Sequence, residues 1–126
     1  MQEWKQFENK ARKACESKFR CKLPEEKVVI NGKDKKFDLV NKEKGIVGDV
    51  KFYRNTSGGN IPSAKRSTAN EYVWLLQKTK GFKKKMLVMG EDMAMAEKYV
   101  SDFAPWIEGV EVYFFRRDKE LKKIFP

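Results

Sequence analysis

A single mixed α/β domain spanning residues 1–126, in the order helix, three strands, helix, strand, helix, strand (αβββαβαβ), is what the sequence predicts, with a mixed central sheet flanked by helices. Three observations predict it. Residues 2–20, about 62–79 and 92–103 repeat apolar side chains at helical spacing. Between the first two lies a β-rich region broken by Asn31-Gly32 and by the polar run that ends in Gly45. Two short apolar runs, 86–89 and 110–115, each follow a helix, as a crossover to a parallel strand requires.

In the first helix Trp4, Phe7, Ala11, Ala14, Cys15 and Phe19 form the apolar stripe, and the helix ends before Leu23-Pro24. Residues 27–30 are a β-branched strand, and Asn31-Gly32 turns it back into a second strand that contains Asp38. The third strand, 46–53, is expected at the centre of the sheet. The Ser-Gly-Gly-containing loop 54–60 follows, either to close over a nucleic acid with Arg54 on a phosphate or as a plain connection. The second helix begins near Pro62 or Ser63 and buries Ala69, Tyr72, Val73 and Leu76. Met93, Ala96, Val100 and Phe103 are the expected inward face of the third, and residues 116–126 form a basic tail. Ile124-Phe125 near its end suits a dimer contact or packing on its own domain.

Composition bounds the chemistry. With 28 Lys+Arg against 18 Asp+Glu the chain carries +10, which suits a polyanionic partner such as nucleic acid as well as it suits solubility. There is no histidine, so Ser-His and Cys-His catalysis is excluded, and two cysteines alone make a zinc site unexpected. Reduced thiols, no membrane-spanning stretch and no signal-peptide core lead to the expectation of a cytoplasmic protein. Gly58-Gly59 lacks the Lys-Ser/Thr of a nucleotide-binding phosphate loop.

Residues 36–53 organise the rest. Alternation puts Asp49 and Lys51 on one face of the third strand and Ile46, Val50 and Phe52 on the other, while Phe37 and Leu39 oppose Asp38 on the second. Keeping the apolar face coherent sets Asp38 opposite Asp49, with Cβ atoms about 5 Å apart. Two carboxylates that close repel, and a divalent cation relieves the repulsion. Magnesium, with manganese as a substitute, takes such oxygen ligands. Lys51, on the same face, then serves to position a metal-bound water or to offset developing charge.

Asp38 followed eleven residues later by Asp49-Val50-Lys51 on the next strand resembles the signature of the PD-(D/E)XK nuclease superfamily, whose fold is the restriction-endonuclease-like core. Phe37 stands where many members carry proline. The resemblance covers nearly the whole chain in element order. It implies a Mg2+-dependent endonuclease that hydrolyses DNA phosphodiester bonds, with Asp38 and Asp49 as ligands, the Val50 carbonyl as a further ligand and Lys51 as catalytic residue. Several branches place an acidic residue of the first helix at the metal, for which Glu8 is the candidate here; pairing of Glu8 with Lys5 or Arg12 at helical spacing is the alternative.

Other members carry a Gln and a Tyr four residues apart on the second helix, where Asn70 and Trp74 stand in this chain. Lys65 and Arg66 in the first turn of that helix read either as a phosphate-binding end or as a solvated face. Arg54, Lys65, Arg66 and Asn70 are thus the candidate nucleic-acid contacts. So small a domain is expected to recognise DNA structure, to act as a homodimer like the small junction resolvases of the superfamily, or to borrow specificity from a protein partner. A non-catalytic nucleic-acid-binding module on the same fold is the second reading, and a cytosolic protein-interaction domain the third; the residues leave DNA and RNA undistinguished.

Overall fold

The computed structural model describes residues 2–54, 63–117 and 120–126. Its elements are α1 (Glu3–Phe19), β1 (Glu26–Ile30), β2 (Lys33–Phe37), β3 (Leu39–Asn41), β4 (Ile46–Tyr53), α2 (Ser63–Lys78), β5 (Lys84–Glu91), α3 (Met93–Phe103), a 3-10 turn (Ala104–Trp106), β6 (Glu111–Phe114) and β7 (Lys122–Phe125). β3 to β7 form one mixed sheet in that order, and β1 and β2 form a separate two-stranded sheet. β3 runs antiparallel to β4, β4 and β5 and then β5 and β6 are parallel, and β7 returns antiparallel to β6. Among the described residues no helix is long and apolar enough to cross a membrane.

The parallel connections explain the sequence of β5. A parallel strand carries helices on both faces and so becomes apolar on both, and Met86, Leu87, Val88 and Met89 are all buried. One face packs against α1 through Phe7, Ala11 and Cys15, which meet Ile46, Val50 and Val88. The other packs against α2 and α3 through Ala69, Val73, Leu76, Met95 and Tyr99. α1 ends in a left-handed Arg20 (φ 57°). α3 starts at Asp92, whose carboxylate accepts the Met95 N–H at 3.1 Å and so satisfies one otherwise open donor.

Several expectations are corrected. The strand 46–53 is not central: β5 occupies the centre and β4 lies between it and the edge strand β3. The three opening strands do not form one sheet, because the chain breaks at Asp38 and sends β2 away with β1. The Asn31-Gly32 turn does close that hairpin, with both residues at positive φ (49° and 83°). Phe37 and Leu39 consequently lie on opposite faces of the fold, in the α2-side and α1-side cores respectively.

Trp4 is half exposed rather than part of the α1 stripe, and α3 buries Met95 and Tyr99 more deeply than Met93, Val100 and Phe103. The tail gains an unforeseen strand, β7, which packs Ile124 and Phe125 on their own domain. The observed order is therefore α, four strands, α, β, α, two strands. Of the loop 54–60, only Arg54 falls within the described residues.

Candidate active site

β3 begins only at Leu39 and covers only the first three residues of β4. Its register pairs Leu39 with Gly48, and one further step would bring Asp38 opposite Asp49, as the sequence expects. At that step side chains take over from the backbone ladder. The Asp38 carboxylate accepts the Val50 N–H at 2.9 Å, and the Asp38 N–H points to the Asp49 carboxylate at 3.3 Å. A residue in a strand directs its N–H and C=O to the same edge. The Val50 carbonyl therefore points to the edge of β4 where β3 has stopped.

Asp38 owes its position to α1. Arg12 donates to the Asp38 carbonyl at 2.7 Å, to the Leu23 carbonyl at 2.9 Å and to Glu8 at 3.3 Å, so one guanidinium ties the helix to the bend. Beyond the bend, the Val40 N–H is taken by the Pro24 carbonyl at 2.9 Å. Nothing in the local pattern marks Arg12 for this role, since its carbonyl partners lie 11 and 26 residues away.

Asp49 is 2% exposed and faces the α2 side of the sheet. The sequence reading set it on an open polar face; α2 and the β1–β2 hairpin cover that face instead. Lys51, also mostly buried, forms an ion pair with the Asp49 carboxylate, and its ammonium lies 3.7 Å from the centre of the Tyr72 ring. Burial pushes the Asp49 carboxyl up to about 8, with Asp38 reinforcing the shift and Lys51 opposing it. Asp38 is raised as well, first by burial, with the Val50 N–H acting against it.

Glu8 is 7% exposed and makes the helical pairs that the alternative reading expects. It pairs with Lys5 and Arg12, each at 3.3 Å, and it is also close enough to Asp38 to raise the latter's pKa. Glu8, Glu25 and Asp38 each offer a carboxylate oxygen within 4.8 Å of the others, a grouping able to hold a cation. Glu25 escapes a reading of the sequence because only the path of the 20–25 segment across α1 brings it there.

The structure thus brings Asp38, Asp49, Val50 and Lys51 together, and Glu8 approaches this group at Asp38. The four expected nucleic-acid contacts are dispersed. Arg54 lies three residues past Lys51, exposed, paired with Glu3 and near the Phe52 ring. Lys65 lies over Tyr53 at 5.5 Å, and its carbonyl accepts the Tyr53 hydroxyl at 2.6 Å. Arg66 and Asn70 turn toward α3, where Arg66 faces Asp102 at 3.8 Å and Asn70 accepts the Tyr99 hydroxyl at 2.7 Å. Asp34, the acidic residue of β2, pairs with Val29 away from this cluster. No family model, no curated protein and no solved structure matches the chain.

Proposed function

We propose that this protein is a Mg2+-dependent endonuclease hydrolysing phosphodiester bonds of DNA, built on a restriction-endonuclease-like core of the PD-(D/E)XK kind. One observation carries the reading. Asp38 and Asp49 converge at the edge of β4 just before β3 begins, the Asp49 carboxylate taking the Asp38 N–H and the Asp38 carboxylate the Val50 N–H, with Lys51 on Asp49. Burying two carboxylates together costs stability, and their use in binding a cation is the compensation the arrangement offers. The antiparallel β3–β4 pair followed by helical crossovers to β5 and β6 agrees with that core.

The donor set fits the metal. Every candidate ligand is an oxygen, which suits a hard cation such as Mg2+ or Mn2+. Asp38, Asp49 and the Val50 carbonyl would hold it, with the Glu8–Glu25 pair reaching Asp38 from the α1 side. A bound cation would polarise the phosphate and lower the pKa of a coordinated water. The chain's own contribution is orientation and charge. Arg12 and the backbone clamp hold Asp38 in place, and the Lys51 side chain, held on Asp49, would orient the attacking water or offset developing charge. The +10 net charge draws the polyanion to the domain.

The test is a panel of supercoiled plasmid, linear duplex, single strands, RNA and branched junctions, each with EDTA, Mg2+ or Mn2+. Metal-dependent cutting that disappears in Asp49→Asn and Lys51→Ala, both still folded, is the expected result. Turnover retained in Asp49→Asn refutes the assignment. Salt-sensitive binding with no cutting of any substrate favours the non-catalytic module.

A further inference from the structure

On the far side of α2 from Lys51, a groove runs between α2 and the end of α3 with its 3-10 turn. Asn70, Trp74 and Gln77 line it from α2, and Phe103 and Trp106 from the other wall; its volume is about 350 Å³. Trp74 is 56% and Trp106 69% exposed, although Phe103 packs under Trp106 with ring centres 6.3 Å apart. Two large indoles left in water at one groove cost hydrophobic free energy unless something covers them.

The polar groups of the groove narrow what that is. Gln77 accepts the Glu108 backbone N–H through its side-chain oxygen at 2.7 Å, which fixes its amide and leaves the NH2 as a donor. Asn70 likewise uses its oxygen on Tyr99. Basic side chains stand at both ends of the α2 stripe: Arg66 one turn before Asn70, which a phosphate would share with Asp102 at 3.8 Å, and Lys78 with its ammonium 5.5 Å from the Trp74 ring. Flat aromatic walls, amide donors and flanking positive charge match a planar, carbonyl-bearing ring on a phosphate chain. A second copy of this chain is the poorer occupant, because it would bring another +10 to the same surface.

We propose that the Trp74–Trp106 groove is a nucleobase-stacking site for single-stranded nucleic acid. A base in a duplex has both faces covered by its neighbours, whereas an unpaired base can leave the stack and lie against an indole. Asn70 and Gln77 donate to base carbonyls and ring nitrogens, and Arg66 and Lys78 meet the flanking phosphates. The proposal rests on the nucleic-acid reading above and narrows it: the preferred substrate carries an unpaired strand, as a flap, a tail or a branched junction does. The site lies behind α2 from Asp38 and Asp49, so it acts in holding the strand and takes no part in the chemistry.

The experiment measures binding in EDTA, so that it is independent of cleavage. Labelled oligo(dT), the same length of abasic strand and a matched duplex are titrated into the intact protein and into Trp74→Ala, Trp106→Ala, Trp74→Phe and Trp4→Ala, with sedimentation run alongside. The expected result is a roughly 5- to 100-fold weaker affinity for oligo(dT) in either groove alanine variant, with much of it regained in Trp74→Phe. Trp4→Ala should bind like the wild type, and the abasic strand should bind weakly to every form. Equal affinity for oligo(dT) and abasic strand would overturn the proposal while leaving the nuclease reading intact. So would a dimer in the wild type that the groove variants dissociate without loss of oligo(dT) affinity, which would identify a second copy as the occupant. Absence of all nucleic-acid binding would overturn both.

Discussion

Replacing Asp49 by asparagine should make the metal-free protein more stable while it removes cleavage. The carboxyl has an ordinary value of 3.8 and is pushed up to about 8 in the fold. Between these values the folded protein binds a proton that the unfolded chain releases, so stability is full below about 3.8 and declines as pH rises toward 8. At pH 7 the 3.2 units above 3.8, at 1.36 kcal/mol each, set an upper bound of roughly 4 kcal/mol on that cost. Asparagine avoids the cost but keeps one acceptor oxygen where the carboxylate used one on the Asp38 N–H and the other on the Lys51 ammonium, so one of those donors loses its partner. Allowing half the bound for relaxation around the site, the gain at pH 7 is about 2 kcal/mol, or roughly 5–10 °C in Tm for a domain of this size. Urea and thermal unfolding in EDTA, followed by circular dichroism from pH 4 to 9, would show the two proteins nearly equal at the acid end and diverging upward. Adding Mg2+ should then stabilise the wild type and not the variant. A variant no more stable at pH 7, or one whose stability runs parallel to the wild type across the range, would refute the account of Asp49 as a carboxyl buried at the expense of stability.

Other outcomes can be checked more simply. A Cβ at Gly48 would lie 2.8 Å from the Met86 carbonyl oxygen and 2.7 Å from its Cγ; Gly48→Ala should cost about 1–3 kcal/mol in urea unfolding, since the backbone oxygen cannot step aside. Arg117 donates to both carboxylate oxygens of Glu91 at 2.7 and 2.8 Å and holds its pKa below the usual 4.5. That contribution is present above pH 4.5 and lost as pH falls through the lowered value, so Arg117→Met should destabilise the protein at pH 7 by about 1 kcal/mol and have less effect at pH 3. Cys15 is fully buried and its thiol is pushed up to about 12, chiefly by burial. A thiol reagent at pH 8 should therefore label Cys21 alone in the native protein and both cysteines in urea.

Periodicity was enough to place the three helices, β4, the buried run of β5 and the Asn31-Gly32 hairpin, because each is a local pattern of apolar spacing or turn chemistry. The opposition of Asp38 and Asp49 was also legible, since a one-residue slip would take Leu39 out of the core it shares with Val50. What alternation could not show was the break at Asp38. The break depends on Arg12 reaching the Asp38 carbonyl across 26 residues and on the Asp38 side chain taking the Val50 N–H in place of a backbone partner. From that break follow the departure of β1 and β2 from the main sheet, the opposite burial of Phe37 and Leu39, and the central place of β5 rather than β4.

The sequence by itself determined which residues could do chemistry, and it excluded histidine-based mechanisms outright, because composition and spacing are properties of the chain alone. Only the tertiary structure decided their surroundings. It buried Asp49 under α2, set the Tyr72 ring against Lys51, brought Glu25 to Glu8, and left Trp74 and Trp106 facing the same groove. Burial, a raised pKa and a shared cavity arise from atoms distant in sequence, and no local pattern encodes which of them will meet.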